Sequence, residues 1–437
     1  MTGNFRTATA ARWLEQSRAA LAWLWLIWLL PRAAVLLIRV TPTSDANYYY
    51  WQAVNFAKGA GYLAKNGHAT AYWPPGWPMA MSVVFGVNGP SVLAVGLLNL
   101  ACAALSAWLV LDLGRKLFQS ELAARLGLLL LAVYPNSIGY VPLALTEVFY
   151  TTLLLAVAWL LVARRGALAF VAAGLVLGLA TLVKAQTLVV VPLILGIGLL
   201  REDNFWRRVP QAALRFAALV ALAALVVSPW TLRNHRELGA WVAVSTNGGI
   251  TLLTGNNDSA NGGFTPDDPL VKALDARTGL NEMEYDAEAK RLGVAWIKAH
   301  PAQFAQLMPL KLAKLWGPDG EAQWAYETGY ADYAEHAGTF RALRIVNQLY
   351  YFALLGGFAL AAGLIVWRRR RAGLRLIDWW LLPYGVAAYP TAIAMVFSGQ
   401  SRFHYPAMPF ICMTCGWLLA DWLVRRGRET VPHAKAG

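Results

Sequence analysis

Two carboxylates and three cations in this 437-residue chain stand where long apolar runs begin or end. Asp45 follows the first run in TPTSDANYYYW, and Glu147 opens another in ALTEVFY. Lys184 falls in the short link LATLVKAQTLVV, and Arg233 ends a run in SPWTLRNHRELG. Arg402 opens the last run in SGQSRFHYPAMP, beside His404 and Tyr405. Ionised groups at such boundaries are costly unless paired or hydrated, so each is a candidate for function. Several cations on one boundary make an anion site, and the anion within reach there is a lipid phosphate or pyrophosphate. Plainer readings stand beside this one. Asp45 also fits an N-cap for ANYYYWQAVNFAKG, Glu147 fits a helix-start acid favoured by the dipole, and each cation fits a snorkelling anchor.

The elements that hold these residues follow from composition. Hydrophobic residues make up 58% of the chain and charged residues only 14%, against about 25% charged in ordinary soluble domains. Mean hydropathy is +0.44. The apolar residues fall in runs of about 20, the length of a helix across a hydrocarbon core. The pattern predicts an all-α polytopic membrane protein with about ten spans. These are 19–40, 76–112 (broken near Asn88-Gly89-Pro90), 121–136, 143–163, 167–183, 185–200, 209–230, 343–367, 376–397 and 404–424. Soluble enzymes, disulfide scaffolds and coiled coils are excluded. Cys412-x-x-Cys415 has a redox or metal spacing, but it lies inside an apolar run and reads as helix packing.

The net charge of +14 points to membrane topology rather than nucleic acid, because the basic residues collect on alternate connections. Arg115-Lys116, Arg164-Arg165, Arg201, Arg207-Arg208, Arg368 to Arg371 and Arg425-Arg426 fall on one side. By the positive-inside rule that side is cytoplasmic, and both termini lie there. The first run carries Pro31 and Arg32 and lacks a clear small-residue cleavage site, so it reads as a retained anchor. Two connections remain outside, 41–75 and 231–342. The second holds 14 of the 24 acids and 10 of the 38 Lys and Arg, and is long enough for a folded extracytoplasmic domain of mixed structure. The expected layout is a membrane core over 1–230, that domain over 231–342, and a final membrane part with a cytoplasmic tail over 343–437. Residues 283–316 have helical periodicity, interrupted at Pro301 and Pro309, that suits amphipathic helices on the outer leaflet.

At this point the chain resembles a known group. SDANYYYWQAVNFAKGAGYL with YWPPGWP, LTEVFY, PWTLRNHRELGAWVAVSTNGGITLLTGNN and SRFHYPAMPF are similar to signatures of GT-C glycosyltransferases that use polyprenyl-phosphate sugars. That group includes protein O-mannosyltransferases and the lipid A aminoarabinose transferase. The resemblance covers roughly 20–420 and implies an inverting transferase of the bacterial inner membrane, with its site on the extracytoplasmic face. It implies that Asp45 is the catalytic base.

The chemistry suits that implication. An alcohol acceptor must lose a proton as the new bond forms, and one carboxylate can take it. The departing polyprenyl phosphate develops negative charge, which Lys184, Arg233 and Arg402 are suited to stabilise. Glu147, Tyr72, His404 and Tyr405 are candidates for orienting substrate. Tyr48 to Trp51, with Tyr72, Trp73 and Trp77, read either as interfacial anchors or as a surface for sugar rings and the prenyl chain. The expected partners are a polyprenyl-phosphate sugar donor, a glycan, lipid or protein acceptor, and membrane lipid, with no nucleic acid. No cofactor is certain. A divalent metal stays open, since the first loop has no evident metal-binding carboxylate near WPPGWP and NNDSANGGFTPDD does not match an EF-hand. Two other functions remain in view: an O-antigen-type ligase or polymerase using a pyrophosphate-linked oligosaccharide, and a transporter of lipid-linked sugars. No duplicated halves of the kind transporters carry are visible.

Overall fold

The computed structural model describes residues 2–428; Glu429 and the expected tail to 437 lie outside them. Among the described residues the chain is all helical, with one isolated bridge between Leu63 and Ala69 in place of any strand. It begins with α1 (Thr2–Gln16) and α2 (Arg18–Ala34). Ser17 caps α2 by accepting from the Ala20 amide at 3.2 Å, a bond that satisfies one of the exposed amides of a helix start. A short turn leads to α3 (Ser44–Ala57), then the first outer loop, then α4 (Gly76–Asn88) and α5 (Val92–Phe118). The expected run 76–112 therefore breaks where the sequence marked it. Gly89 takes φ +73° there, a conformation that costs glycine nothing.

Helices α6 (Glu121–Ala132), α7 (Pro135–Gly139), α8 (Glu147–Val162), α9 (Ala167–Val183) and α10 (Val190–Leu200) follow. The 34-residue α11 (Phe205–Leu238) ends at Gly239 in the left-handed region. Five helices build the segment expected on the outer side: α12 (Gly248–Thr254), α13 (Pro269–Asp275), α14 (Glu282–Ala299), α15 (Pro301–Trp316) and α16 (Glu321–Gly329). The chain returns through α17 (Tyr333–Arg371), α18 (Leu382–Val396) and α19 (Met408–Arg428).

Among the described residues five helices are long and apolar enough to cross a membrane: Arg18–Leu37, Val92–Phe118, Phe205–Leu238, Tyr333–Arg371 and Ser401–Arg426. Shorter apolar helices cover Glu147–Val162, Ala167–Val183 and Ala185–Leu200. The segments expected over 121–136 and 376–397 are shorter as helices, because each is cut where the chain must turn. α6 stops before Tyr134-Pro135, and α18 starts only after Asp378 has capped the Trp379 turn at 2.7 Å. The outer segment, expected to be of mixed structure, is helical. Its cap chemistry explains why: Asn281 accepts from the Met283 and Glu284 amides while Glu284 accepts from the Asn281 amide, the reciprocal pairing that starts a helix. The long helices α11 and α17 also overrun the borders expected at 231 and 342.

The membrane core packs α4, α5, α6, α8, α18 and α19 around Trp77, Met81, Phe85, Leu109, Leu154 and Phe410, all buried. Buried donors tie its broken segments together. Asn99 Nδ2 donates to the carbonyls of Val141 and Leu143 at 3.1 and 2.9 Å, and Trp77 Nε1 donates to Ala144 O at 3.0 Å. With no water in such a core, those pairings are what allow a broken helix between α7 and α8.

Two residues fasten the loop after α3, one to α14 and one to α3 itself. Glu282, at the start of α14, accepts from the Ala71 amide at 2.8 Å, from the Thr246 hydroxyl at 2.6 Å and from the Thr70 hydroxyl. Gln52 of α3 pairs with the Leu63 backbone in both directions, at 2.6 and 3.2 Å. The loop is thereby a fixed wall, bonded along its length to the elements on either side.

Candidate functional site

The chain enters α3 through Ser44 at φ +49°, a left-handed turn that is uncommon for a residue with a Cβ. The next residue is Asp45. It does not cap the helix: Thr43 occupies the cap position, and Asp45 Oδ2 instead accepts from Arg402 Nη2 at 2.6 Å. The partners are 357 positions apart. Arg402 also donates through Nε to Gln400 Oε1 at 3.1 Å, so its planar fork is held at two points in the turn Ser401–Ala407.

A second pair lies nearby. Lys184, in the extended link after α9, donates to Glu147 Oε1 at 3.4 Å. Glu147 is the first residue of α8 and only 1% exposed. Its other oxygen, Oε2, is buried without a hydrogen-bond partner among the described residues. The Phe403 ring stands between the two cations, 5.1 Å from Lys184 Nζ and 5.3 Å from the Arg402 guanidinium. An aromatic face attracts both and keeps them apart.

Glu147, Lys184 and Arg402 line a cavity of about 360 Å³. Tyr49, Trp73, Gln186, Ser245 and Asn247 are among its other polar lining, while Leu154, Val386, Pro390, Ile393 and Ala394 give it an apolar wall. Tyr150, beside Lys184, accepts from the Thr187 hydroxyl at 3.1 Å and sits 3.3 Å from the Tyr389 hydroxyl. Such a space, charged on one side and hydrocarbon-like on the other, matches an amphiphile with an anionic head.

The remaining sequence candidates fall elsewhere. Arg233 sits apart from the other two cations and clamps the first outer loop, donating to Tyr62 O and Thr70 O at 2.7 Å each. Its guanidinium lies 4.9 Å over the Trp230 ring. Sharing a boundary placed it on the right side, but one turn of α11 aims it at the loop. His404 is fully buried, donating from Nδ1 to Leu315 O at 2.6 Å and stacking between Trp316 and Tyr351. Its Nε2 lies 3.4 Å from Asp319 Oδ1, in an interior network with Tyr134, Asn136 and Asn347. Tyr405 packs on Tyr140 at 4.4 Å. Both are buried in the helix bundle. Tyr72 packs with the outer helices, where burial pushes its hydroxyl up to about 12, helped by the charges of Asp275, Asp286 and Asp45.

One acid escaped sequence reading. Glu321, at the start of α16, is close enough for Arg402, Glu147 and Asp45 to act on its charge. Burial pushes its carboxyl above the usual range; Arg402 opposes that, and the two acids add to it. It was one of the many loop acids, and GPDGEAQW carries no spacing that would single it out. The cysteines Cys412 and Cys415 are free and buried. Among the described residues no group of three or more His, Cys, Asp or Glu stands ready for a metal. Asp258 and Asp268 of the acidic loop are spent on Trp296 Nε1 and on the start of α13.

Comparison with known proteins agrees with this architecture. The family profile described as dolichyl-phosphate-mannose-protein mannosyltransferase matches residues 72–232, a stretch that includes Glu147 and Lys184. No curated protein sequence matches the chain. Among solved structures, the oligosaccharyltransferase AglB from Archaeoglobus fulgidus, in complex with an inhibitory peptide and a dolichol-phosphate, superposes with a TM-score of 0.54 at 13% identity. The alignment covers 97% of this chain and 53% of that one. The same archaeal enzyme with zinc and sulfate gives 0.53 at 14% identity, over 92% and 50% of the two chains. ArnT from Cupriavidus metallidurans bound to undecaprenyl phosphate gives 0.44 at 15% identity, over 94% and 76%. The chain spans about half the length of the archaeal structures it matches. The class that the fold defines is the GT-C membrane architecture, and the chain is an integral membrane protein of that class.

Proposed function

We propose that this protein is an inverting glycosyltransferase that moves a sugar from a polyprenyl-phosphate donor to an acceptor on the extracytoplasmic side of the bacterial inner membrane. The observation that carries the reading is the cavity of about 360 Å³ lined by Glu147, Lys184 and Arg402 together with an apolar wall, with Asp45 bonded directly to Arg402. The prenyl chain lies along Leu154, Val386 and Ile393, and the phosphate meets Lys184 and Arg402. The match to the dolichyl-phosphate-mannose-protein mannosyltransferase profile and the likeness in fold to an archaeal oligosaccharyltransferase in complex with a dolichol-phosphate support this choice of donor class.

In the reaction Asp45 takes the proton of the acceptor hydroxyl while its oxygen attacks the anomeric carbon. The bond from that carbon to the phosphate oxygen breaks, and its electron pair leaves with the phosphate. Arg402 serves both events. Paired with Asp45 it holds the carboxylate in place; as it shares its fork with the arriving phosphate, Asp45 becomes a stronger base. Lys184 supplies the second positive charge where the leaving group gains its negative one. The open oxygen of Glu147 is available to a sugar or acceptor hydroxyl. Arg233 acts at a distance, by fixing the loop that carries Asp45.

The test is transfer from a synthetic polyprenyl-phosphate sugar by the purified full chain, with donor binding measured in parallel. Asp45→Asn is expected to lower turnover by at least about 100-fold, the usual contribution of a positioned base, while donor binding survives. Full turnover in that variant removes Asp45 as the base. Absence of any product from polyprenyl-phosphate donors, with product from a pyrophosphate-linked oligosaccharide, transfers the protein to the ligase class.

A further inference from the structure

One helical turn beneath the two ion pairs, α2 buries a cation that the transfer chemistry does not use. Arg32 is 0% exposed, and no carboxylate among the described residues forms an ion pair with it. Its Nη1 donates to the carbonyls of Trp28 and Ala132, both at 3.0 Å. Its Nη2 donates to Leu131 O at 3.0 Å and Ser137 Oγ at 2.5 Å. The guanidinium lies 3.5 Å from the centre of the Trp28 ring. Four of the five N–H groups are thus satisfied, and Nε is left without an acceptor. Trp28 Nε1, on the same helix and also buried, has none either. Both side chains line one cavity of about 20 Å³ together with Ser106, Ser137, Thr151 and Tyr405.

We infer that this cavity binds a monovalent anion of halide size. Carbonyl dipoles and an aromatic face orient a guanidinium but leave its net charge, and an uncompensated charge in an apolar interior is costly. The two unpaired groups, Arg32 Nε and Trp28 Nε1, are donors, so the ligand must accept. The hydroxyls of Ser137 and Thr151 already donate to backbone carbonyls, at 2.9 Å to Tyr134 O and 2.6 Å to Glu147 O. A cavity of about 20 Å³ holds one water-sized ligand; sulfate and phosphate are too large. A water would meet the donors and leave the charge, whereas a halide meets both. Thr151 joins this cavity to the Glu147 backbone, and Tyr405 shares its turn with Arg402, so the bound anion stiffens the floor beneath the ion pairs. The inference is independent of the transferase reading.

The experiment compares thermal unfolding of the full chain in detergent, in sodium chloride, sodium bromide and sodium gluconate at equal ionic strength, with bromide-soaked crystals examined for anomalous scattering. The expected result is a saturable rise in Tm with either halide and none with gluconate, and a bromide peak between Arg32 and Trp28. Arg32 variants are liable to misfold, so Trp28→Phe is the working probe: it keeps the ring over the guanidinium and removes one donor. Its half-saturating halide concentration is expected to rise about tenfold, as for one lost hydrogen bond to a charged group. Equal melting in chloride and gluconate, no bromide peak in that cavity, or an unchanged half-saturation in Trp28→Phe each overturns the site.

Discussion

Arg402 is the residue on which most of the site converges: it grips Asp45 at 2.6 Å, faces Phe403 and lines the cavity. Its planar fork matters as much as its charge, so Arg402→Lys is expected to retain little activity, and Arg402→Ala to raise the donor KM. Lys184→Ala is expected to do the same while leaving the Asp45–Arg402 pair intact; unchanged kinetics for both alanine variants would dismantle the phosphate site. Residue types and boundaries were enough to nominate these two cations and both acids, since ionised groups beside apolar runs are rare and conspicuous. The direction each side chain takes was not legible. Arg233 shares the boundary yet bonds to Tyr62 and Thr70, and His404, two residues from Arg402, is buried against Leu315 and Asp319.

A second residue gives a pH signature. Lys311 of α15 is buried, donates to Asn256 Oδ1 at 2.7 Å, and has its ammonium pushed down to about 8 by burial. The unfolded chain keeps the ordinary value of 10.5. The folded state therefore carries the cost of this charge in full below about pH 8, and the cost fades as pH rises from about 8 towards 10.5. Stability is expected to rise with pH across that window, and Lys311→Met to remove that rise in Tm measured from pH 7 to 10.5.

Among elements, α6 and α19 approach each other closely through glycine. A Cβ on Gly127 would lie 2.8 Å from Met413 Cα, and one on Gly416 would run into the Gly127 backbone. Close helix contact through small residues is the usual basis of association in lipid, where burial against apolar tails offers no gain. Gly416→Ala is expected to cost about 1–3 kcal/mol, the range for overpacking, read as a lower Tm in detergent. Gly196→Ala, with open space around its Cβ position, serves as the control. Element existence was readable from apolar periodicity, and the break at Gly89 from its sequence. Their lengths were less so: α6 stops before Tyr134-Pro135, and α18 begins only after the turn that Asp378 caps at 2.7 Å.

At the scale of the whole molecule, the charge pattern gives a prediction about sidedness. Arg164 and Arg165 are expected on the cytoplasmic side and the exposed Lys298 of α14 on the other. Lys298→Cys is expected to react with a membrane-impermeant thiol reagent added to intact spheroplasts, and Arg165→Cys only after lysis. The reverse pattern would invert the topology. Of the native cysteines Cys412 and Cys415 are buried, and Cys102, which is partly exposed, is replaced by Ala in both variants. The outer helices, the first loop and the last turn meet around Glu282, Arg233 and Arg402. These long-range bonds, unlike the apolar runs, leave no local trace in the sequence.

The two ion pairs also set a threshold for admission. A newcomer must break or share contacts that are already made, so a small hydrophilic anion from solution gains little by entering. The hydrocarbon wall supplies the difference, at about 25 cal/mol for each Å² of tail it shelters from water. A headgroup stripped of its tail is therefore a feeble competitor whatever its charge, and occupancy is governed by what dissolves in the bilayer.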